Sequence, residues 1–194
     1  MGDWAAQPGC GIRFEWGATG TARLAAEAAC LAVARSTVST QYPWSLSPTQ
    51  LRRSPFTAGA VAPVVAACLR NVTAVGSRLT QHGYGGSERP VAVIAAGERW
   101  PDGSLRPAPE DLLAAGALIA DLGSQGAGPL SAEAACARAC AEATADIPRA
   151  IAASASGRES ASAGFAEDVV IATEEDACTV VPVMDVEGAF AAAT

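Results

Sequence analysis

The feature that most constrains this chain is a pair of short apolar runs, "PVVAACL" at 63–69 and "VAVIAA" at 91–96. Runs of that length without polar alternation read as strands buried on both faces. Each passes into a segment of helical character, "RNVTAVGSRLTQ" at 70–81 and residues 108–122, and "HGYGGSERP" breaks the chain between the two units. A β-α-β-α order with near-continuous apolar strands predicts an α/β fold whose sheet is mainly parallel and covered by helices. The 194 residues suit one such domain with a sizeable core. Half of them are hydrophobic but only 5% are aromatic, so alanine and other small side chains should fill that core.

The flanking segments are weaker in pattern. "TARLAAEAACLAVAR", 21–35, predicts a helix of strong formers. "STVSTQYPWSLSPTQLRRSPF", 36–56, is a loop in which Ser47 and Pro48 can open a turn or two of helix. Ser131 starts a partial capping box, and the alanine-rich stretch after it should be helical and divided near Pro148. "CTVVPVM", 178–184, is the expected final strand, with Pro182 pointing to a sheet edge.

Charge narrows the partners. The net charge is −7, from 20 acids against 13 basic residues, and every basic residue is Arg. No basic stripe for nucleic acid or an anionic membrane is expected, whereas a few Arg forks can still bind a small anion. The lack of Lys excludes a P-loop. "GATGTA", 17–22, is read as a turn and helix entrance rather than a dinucleotide fingerprint, for want of a preceding strand. Nothing resembling a secretory signal or a membrane span is recognised, so the six cysteines are expected as reduced thiols in a cytoplasm. Cys136 and Cys140, four apart on one helix face, are expected to be buried small residues rather than half of a zinc site.

In open α/β sheets, ligands bind beyond the carboxyl ends of the strands. Arg70-Asn71 and Gly97-Glu98-Arg99-Trp100 follow the two expected strands directly. The Asp102-Gly103 turn could fold the chain back so that Glu98 meets Glu110 and Asp111 in the first turn of the next helix. Two or three carboxylates plus water are what Mg²⁺ accepts. Alternatively, Glu110 and Asp111 complement the helix dipole and Glu98 is solvated. Arg70, Arg99, Arg106 and Arg158 are candidate anion clamps, and "SASGRES", 154–160, is a candidate anion nest. His82, the lone histidine, sits in a loop and is given no catalytic role.

Taken together, "GIRFEWG", "PWSLSP", "ACLRNVTAVG", "VIAAGERWPDGSLRPAPEDLLAAGA" and "ASGRESASAGFAEDV" with the later "VVPV" and "GAF" resemble the 2-phosphosulfolactate phosphatase family, in its actinobacterial-type branch. The resemblance implies a three-layer α/β/α domain over 1–194 and a Mg²⁺-dependent phosphatase that converts 2-phosphosulfolactate to sulfolactate, a step of coenzyme M biosynthesis. Asn71, Gly97, Glu110, Asp111, Ser47 and Pro48 match family positions, whereas Glu98 stands where many members have Thr; the reading of the residues themselves places Glu98, Asp111 and Arg99 in catalysis and Glu98, Glu110 and Asp111 on the metal. Asn71, Gly97 and Ser47, and with them Arg70 and Arg158 as candidate anion clamps, are expected at the substrate; Gly116 matches a family glycine. Two family segments are not found: a strand after the first helix and a Pro-Asn-Gly type loop. The expectation is therefore a reduced sheet with a truncated N-terminal region, residues 1–62, and a core over 63–194, its exposed edges covered or paired in a homo-oligomer. The alternative is a degenerate member that binds anions or acts as a scaffold.

Overall fold

The computed structural model describes residues 9–16, 30–34, 63–102, 104–184 and 190–193. Four strands, β1 (Ile12–Trp16), β2 (Cys30–Ala34), β3 (Val64–Ala67) and β4 (Val91–Ala95), lie parallel in the order β1-β4-β2-β3. The register pairs Trp16 and Ala34 with Ala95, and Ala34 with Ala67, so all four strands end level along one edge. Two antiparallel strands, β7 (Pro182–Met184) and β8 (Phe190–Ala192), extend the sheet beyond β3. Between β4 and the next helix, β5 (Glu98–Arg99) and β6 (Leu105–Arg106) form a separate two-stranded ribbon.

The central strand β4 is buried at all five positions, which is why its sequence shows no polar alternation. Helix α1 (Val72–Gln81) follows β3 through a short 3-10 turn, and helix α2 (Pro109–Ser124) follows the ribbon. Helix α3 (Ala132–Ala143) lies beside α2, so that α3, α2 and α1 sit side by side over β1, over β4 and β2, and over β3. Leu113, Leu118, Ile119 and Leu122 of α2 point into the core with Ile12, Val75, Leu79, Val91 and Val93. Full burial of such a side chain contributes about 1.5–3 kcal/mol, so this one layer carries much of the stability. The α2–α3 contact is close because both faces are small: a Cβ on Gly116 would lie 2.2 Å from the Ala137 carbonyl oxygen. Three shorter helices, α4 (Ile147–Ala152), α5 (Ala155–Ser162) and α6 (Ala166–Ala172), pack on one another before the chain returns to β7.

The α/β class and the parallel sheet agree with the sequence. Several details are corrected. Residues 30–34, expected as the end of a helix over 21–35, form the interior strand β2, so the sheet has a strand in a region where none is expected from the sequence. Helix propensity is outweighed here because "CLAVA" lies between β4 and β3, where its backbone groups complete two ladders. A strand, β1, does precede "GATGTA", contrary to expectation. Both β1 and β2, from within residues 1–62, are strands of this sheet. β7 is neither final nor an edge, being flanked by β3 and β8, and Pro182 is accommodated as its first residue. Cys136 and Cys140 are exposed, because the buried face of α3 belongs to Ala134, Ala137 and Ala141. The helical stretch after Ser131 divides before Pro148, which sits in the first turn of α4. Ser47 and Pro48 lie outside the described residues.

Among the described residues, no helix is long and apolar enough to cross a membrane.

Candidate active site

Acids gather where β4 ends. Gly97 takes φ +68°, a left-handed conformation that a side chain would strain, and so turns the chain out of the sheet into the β5–β6 ribbon. Its N–H donates to Asp111 Oδ2 at 2.8 Å. That bond ties the end of β4 to the first turn of α2 across the whole Trp-Pro-Asp-Gly excursion. The ribbon closes through an Asx turn: Asp102 Oδ1 accepts from the Ser104 N–H at 2.8 Å and from its hydroxyl at 2.6 Å. These two bonds hold the Asp102 carboxyl below its ordinary pKa. The Trp100 N–H donates to the Ser104 carbonyl at 2.9 Å.

The ribbon register sets Glu98 opposite Arg106. Arg106 Nη1 stands 3.2 Å from Glu98 Oε2, and the guanidinium stacks 4.9 Å from the Trp100 ring centre. From the other side, Glu159 of α5 takes the fork bidentately, at 3.0 and 2.9 Å. Burial pushes the Glu98 carboxyl above its ordinary pKa; Arg106 opposes that shift, while Glu110 and Glu159 add to it. The bond to Glu159, with the fields of Glu98 and Glu110, holds Arg106 more firmly cationic. This guanidinium therefore meets two carboxyl groups directly, Glu98 and Glu159, and lies in the field of a third, Glu110.

Glu110 and Asp111 are each only 4% exposed, and Glu110 Oε2 is buried without a hydrogen-bond partner. A first-turn acid that merely complemented a helix dipole would keep its oxygens in water. An orphaned carboxylate oxygen beside an excess of negative charge is suited to a hard cation. Mg²⁺ asks for one or two carboxylates and keeps the rest of its shell as water or substrate oxygen. Glu98 and Glu110 fit that demand; Asp111 turns one oxygen to Gly97 instead. Among the described residues no group of three or more His, Cys, Asp or Glu side chains is arranged to hold a metal.

The residues after β3 are differently used. Asn71 is buried, and its amide accepts from the Cys68 N–H at 2.9 Å and donates to the Ala66 and Val180 carbonyls at 3.4 and 3.0 Å. Arg70 pairs with Glu174 at 2.9 Å and donates to the Ile171 carbonyl. Asp176 reaches the start of α1, accepting from the Thr73 N–H at 2.8 Å and its hydroxyl at 2.7 Å. The chain's own residues 171–180 thus engage the groups that an anion would use beside β3. In "SASGRES", Ser154 caps α5 by accepting from the Gly157 N–H at 3.0 Å, and Arg158 is exposed with its guanidinium on the Ala153 carbonyl. Arg99 pairs with Leu105 through the β5–β6 ladder.

The structure therefore brings Gly97, Glu98, Glu110 and Asp111 to one end of β4, with Arg99 adjacent in the chain. It leaves Arg70, Asn71 and Arg158 in contacts of their own. Sequence reasoning gave Arg106 too little weight and overlooked Glu159. The first could have been found from ribbon register, since a turn over 100–104 opposes 98 and 106. The second lies one residue from Arg158, and one step along a helix turns a side chain by about 100°.

The fold is that of an α/β protein with a cluster of acids at the carboxyl ends of a parallel sheet, where such folds place ligands. A family model described as 2-phosphosulpholactate phosphatase matches residues 49–187, well over half of the chain, and the chain belongs to that family. A comparison with curated proteins gave no match.

Proposed function

We propose that the chain is a Mg²⁺-dependent phosphatase of a small acidic phosphomonoester, with 2-phosphosulfolactate, the substrate its family's description names, as the substrate. The observation that carries the reading is the buried, unpartnered Oε2 of Glu110 beside Glu98, at the strand end where α/β folds place ligands. In this reading Glu98 and Glu110 hold the cation, and Asp111 fixes the turn that presents Glu98. When bound, the cation polarises a phosphoryl oxygen and offsets charge at phosphorus. Glu98, as a ligand of that cation, would position the attacking water beside it, and Arg106 across the ribbon holds the carboxylate for that task. Arg99, next along β5, supplies charge to the developing oxyanion. Gly97 keeps the left-handed turn that leads into Glu98, and Arg70, Asn71 and Arg158 would meet substrate only by leaving the contacts they make here. A place in coenzyme M biosynthesis follows if the substrate is the one proposed.

The second reading, a non-hydrolysing anion-binding or scaffold protein, is favoured by the engagement of Asn71 and of the α1 start by the chain itself. Phosphate release from 2-phosphosulfolactate and a small phosphomonoester panel, with Mg²⁺ and with chelator, decides between them. Chelator-sensitive release that is lost in Asp111→Asn supports the enzyme. Ligand-induced thermal stabilisation without release supports the binding protein.

A further inference from the structure

Arg106 presents, among the described residues of the strand-end site, a guanidinium that already displays bidentate anion recognition. Its side chain is 18% exposed, whereas that of its partner Glu159 is 62% exposed. The two ends of this pair are therefore held very differently. Arg106 is anchored by Trp100 on its face and by Glu98 across the ribbon. Glu159 is tied to the site, among the contacts described, by the fork alone. The pair is bidentate, but its carboxylate end stands in water, where screening limits what it contributes, so another oxyanion can compete for the fork. A planar fork fits two oxygens of a phosphate or sulfonate as it fits those of a carboxylate.

We propose that Arg106 is the fork that binds a tetrahedral oxyanion of the substrate, and that Glu159 occupies this fork until the oxyanion displaces it. Glu159 is a placeholder: it keeps Arg106 aimed and paired beside Glu98 and Glu110, and swings into solvent when ligand arrives. The inference rests on the phosphatase reading only for the identity of the oxyanion. A strut that merely ties α5 to the ribbon would share the same bonds, but losing Glu159 would then loosen the site and weaken anion binding.

The test is calorimetric titration of the full chain with inorganic phosphate and, separately, methanesulfonate, in millimolar magnesium chloride. Glu159→Gln is expected to bind the preferred anion about 2- to 5-fold more tightly, because the competing charge is gone. Arg106→Lys, which keeps charge but not the fork, is expected to bind it about 10-fold more weakly. In the double variant the gain from Glu159→Gln should vanish, since no fork remains to be freed. The anion that shows this coupling identifies the group bound. Unchanged or weaker binding in Glu159→Gln, or unchanged binding in Arg106→Lys, overturns the proposal. Should Glu159→Gln fail to fold, the Arg106→Lys titration still decides whether the fork binds anions. Absence of phosphatase turnover with the coupling intact removes the enzyme reading and leaves the fork; turnover unaffected by Arg106→Lys does the reverse.

Discussion

Replacing Glu110 by Gln should make the protein more stable and less responsive to Mg²⁺. The wild-type side chain is 4% exposed and buries Oε2 without a hydrogen bond, a defect that costs about 1–3 kcal/mol. Gln keeps the shape and removes the charge. Two electrostatic effects then oppose each other: Glu98 is relieved of a like charge, and Arg106 loses the field of a carboxyl group it does not touch. Arg106 keeps Glu98 and the bidentate Glu159, so its loss is the smaller of the two. The amide still leaves a polar atom unpaired, so only the charge is relieved; a net gain of up to about 1 kcal/mol follows, which for a chain of this size raises Tm by up to about 2–4 °C. In the wild type, Mg²⁺ should stabilise the fold by about 2.7 kcal/mol at a hundredfold excess over Kd and raise Tm accordingly, and Glu110→Gln should lose most of that increment. Thermal scans of both proteins with Mg²⁺ and with chelator measure both quantities. A lowered Tm for the variant together with an undiminished Mg²⁺ increment would refute the reasoning, for Glu110 would then be a structural acid.

Other outcomes follow from the same geometry. Gly116→Ala should gain about 1 kcal/mol of helix propensity yet lose stability overall by about 1–2 kcal/mol in urea unfolding, because its Cβ meets a backbone carbonyl at 2.2 Å that cannot rotate away; a stabilised variant would show that α2 and α3 separate freely. Asn71→Ala should cost about 1–3 kcal/mol by orphaning the Cys68 N–H and the Val180 carbonyl, and Asn71→Asp, which accepts but cannot donate, should not restore it; urea midpoints equal to wild type would contradict this. Glu98 makes stability pH-dependent. Its native pKa lies above the ordinary 4.5, so its contribution is complete below that value and is lost as pH rises through the elevated one. Glu98→Gln should flatten the stability profile over that interval, and a profile that keeps its slope would assign the dependence to another group.

Some of this was legible without coordinates because the deciding forces are local. "VAVIAA" has no polar face to show, and Asp102-Gly103 with Ser104 sets up its own Asx turn, so a strand, a fold-back and acids near a strand end could all be read directly. "CLAVA" could not be read so, because nothing within five residues distinguishes a buried strand from the end of a strong helix former. The partners of Asn71 and Arg70 were equally hidden: Val180 and Glu174 lie more than a hundred residues further along the chain.

By itself the sequence determined an α/β chain with acidic balance, no Lys, and a motif from Gly97 through Asp111 that places carboxylates after a buried strand. Periodicity, turn chemistry and charge act within a few residues, so they survive in one dimension. Only the tertiary structure decided that one oxygen of Glu110, Oε2, would be buried without a donor and that Arg106 would be divided between Glu98 and Glu159. It also decided that Asn71 would be consumed by the backbone. Burial and pairing depend on which distant segments the sheet and its helices bring together, and at that range no local pattern records the outcome.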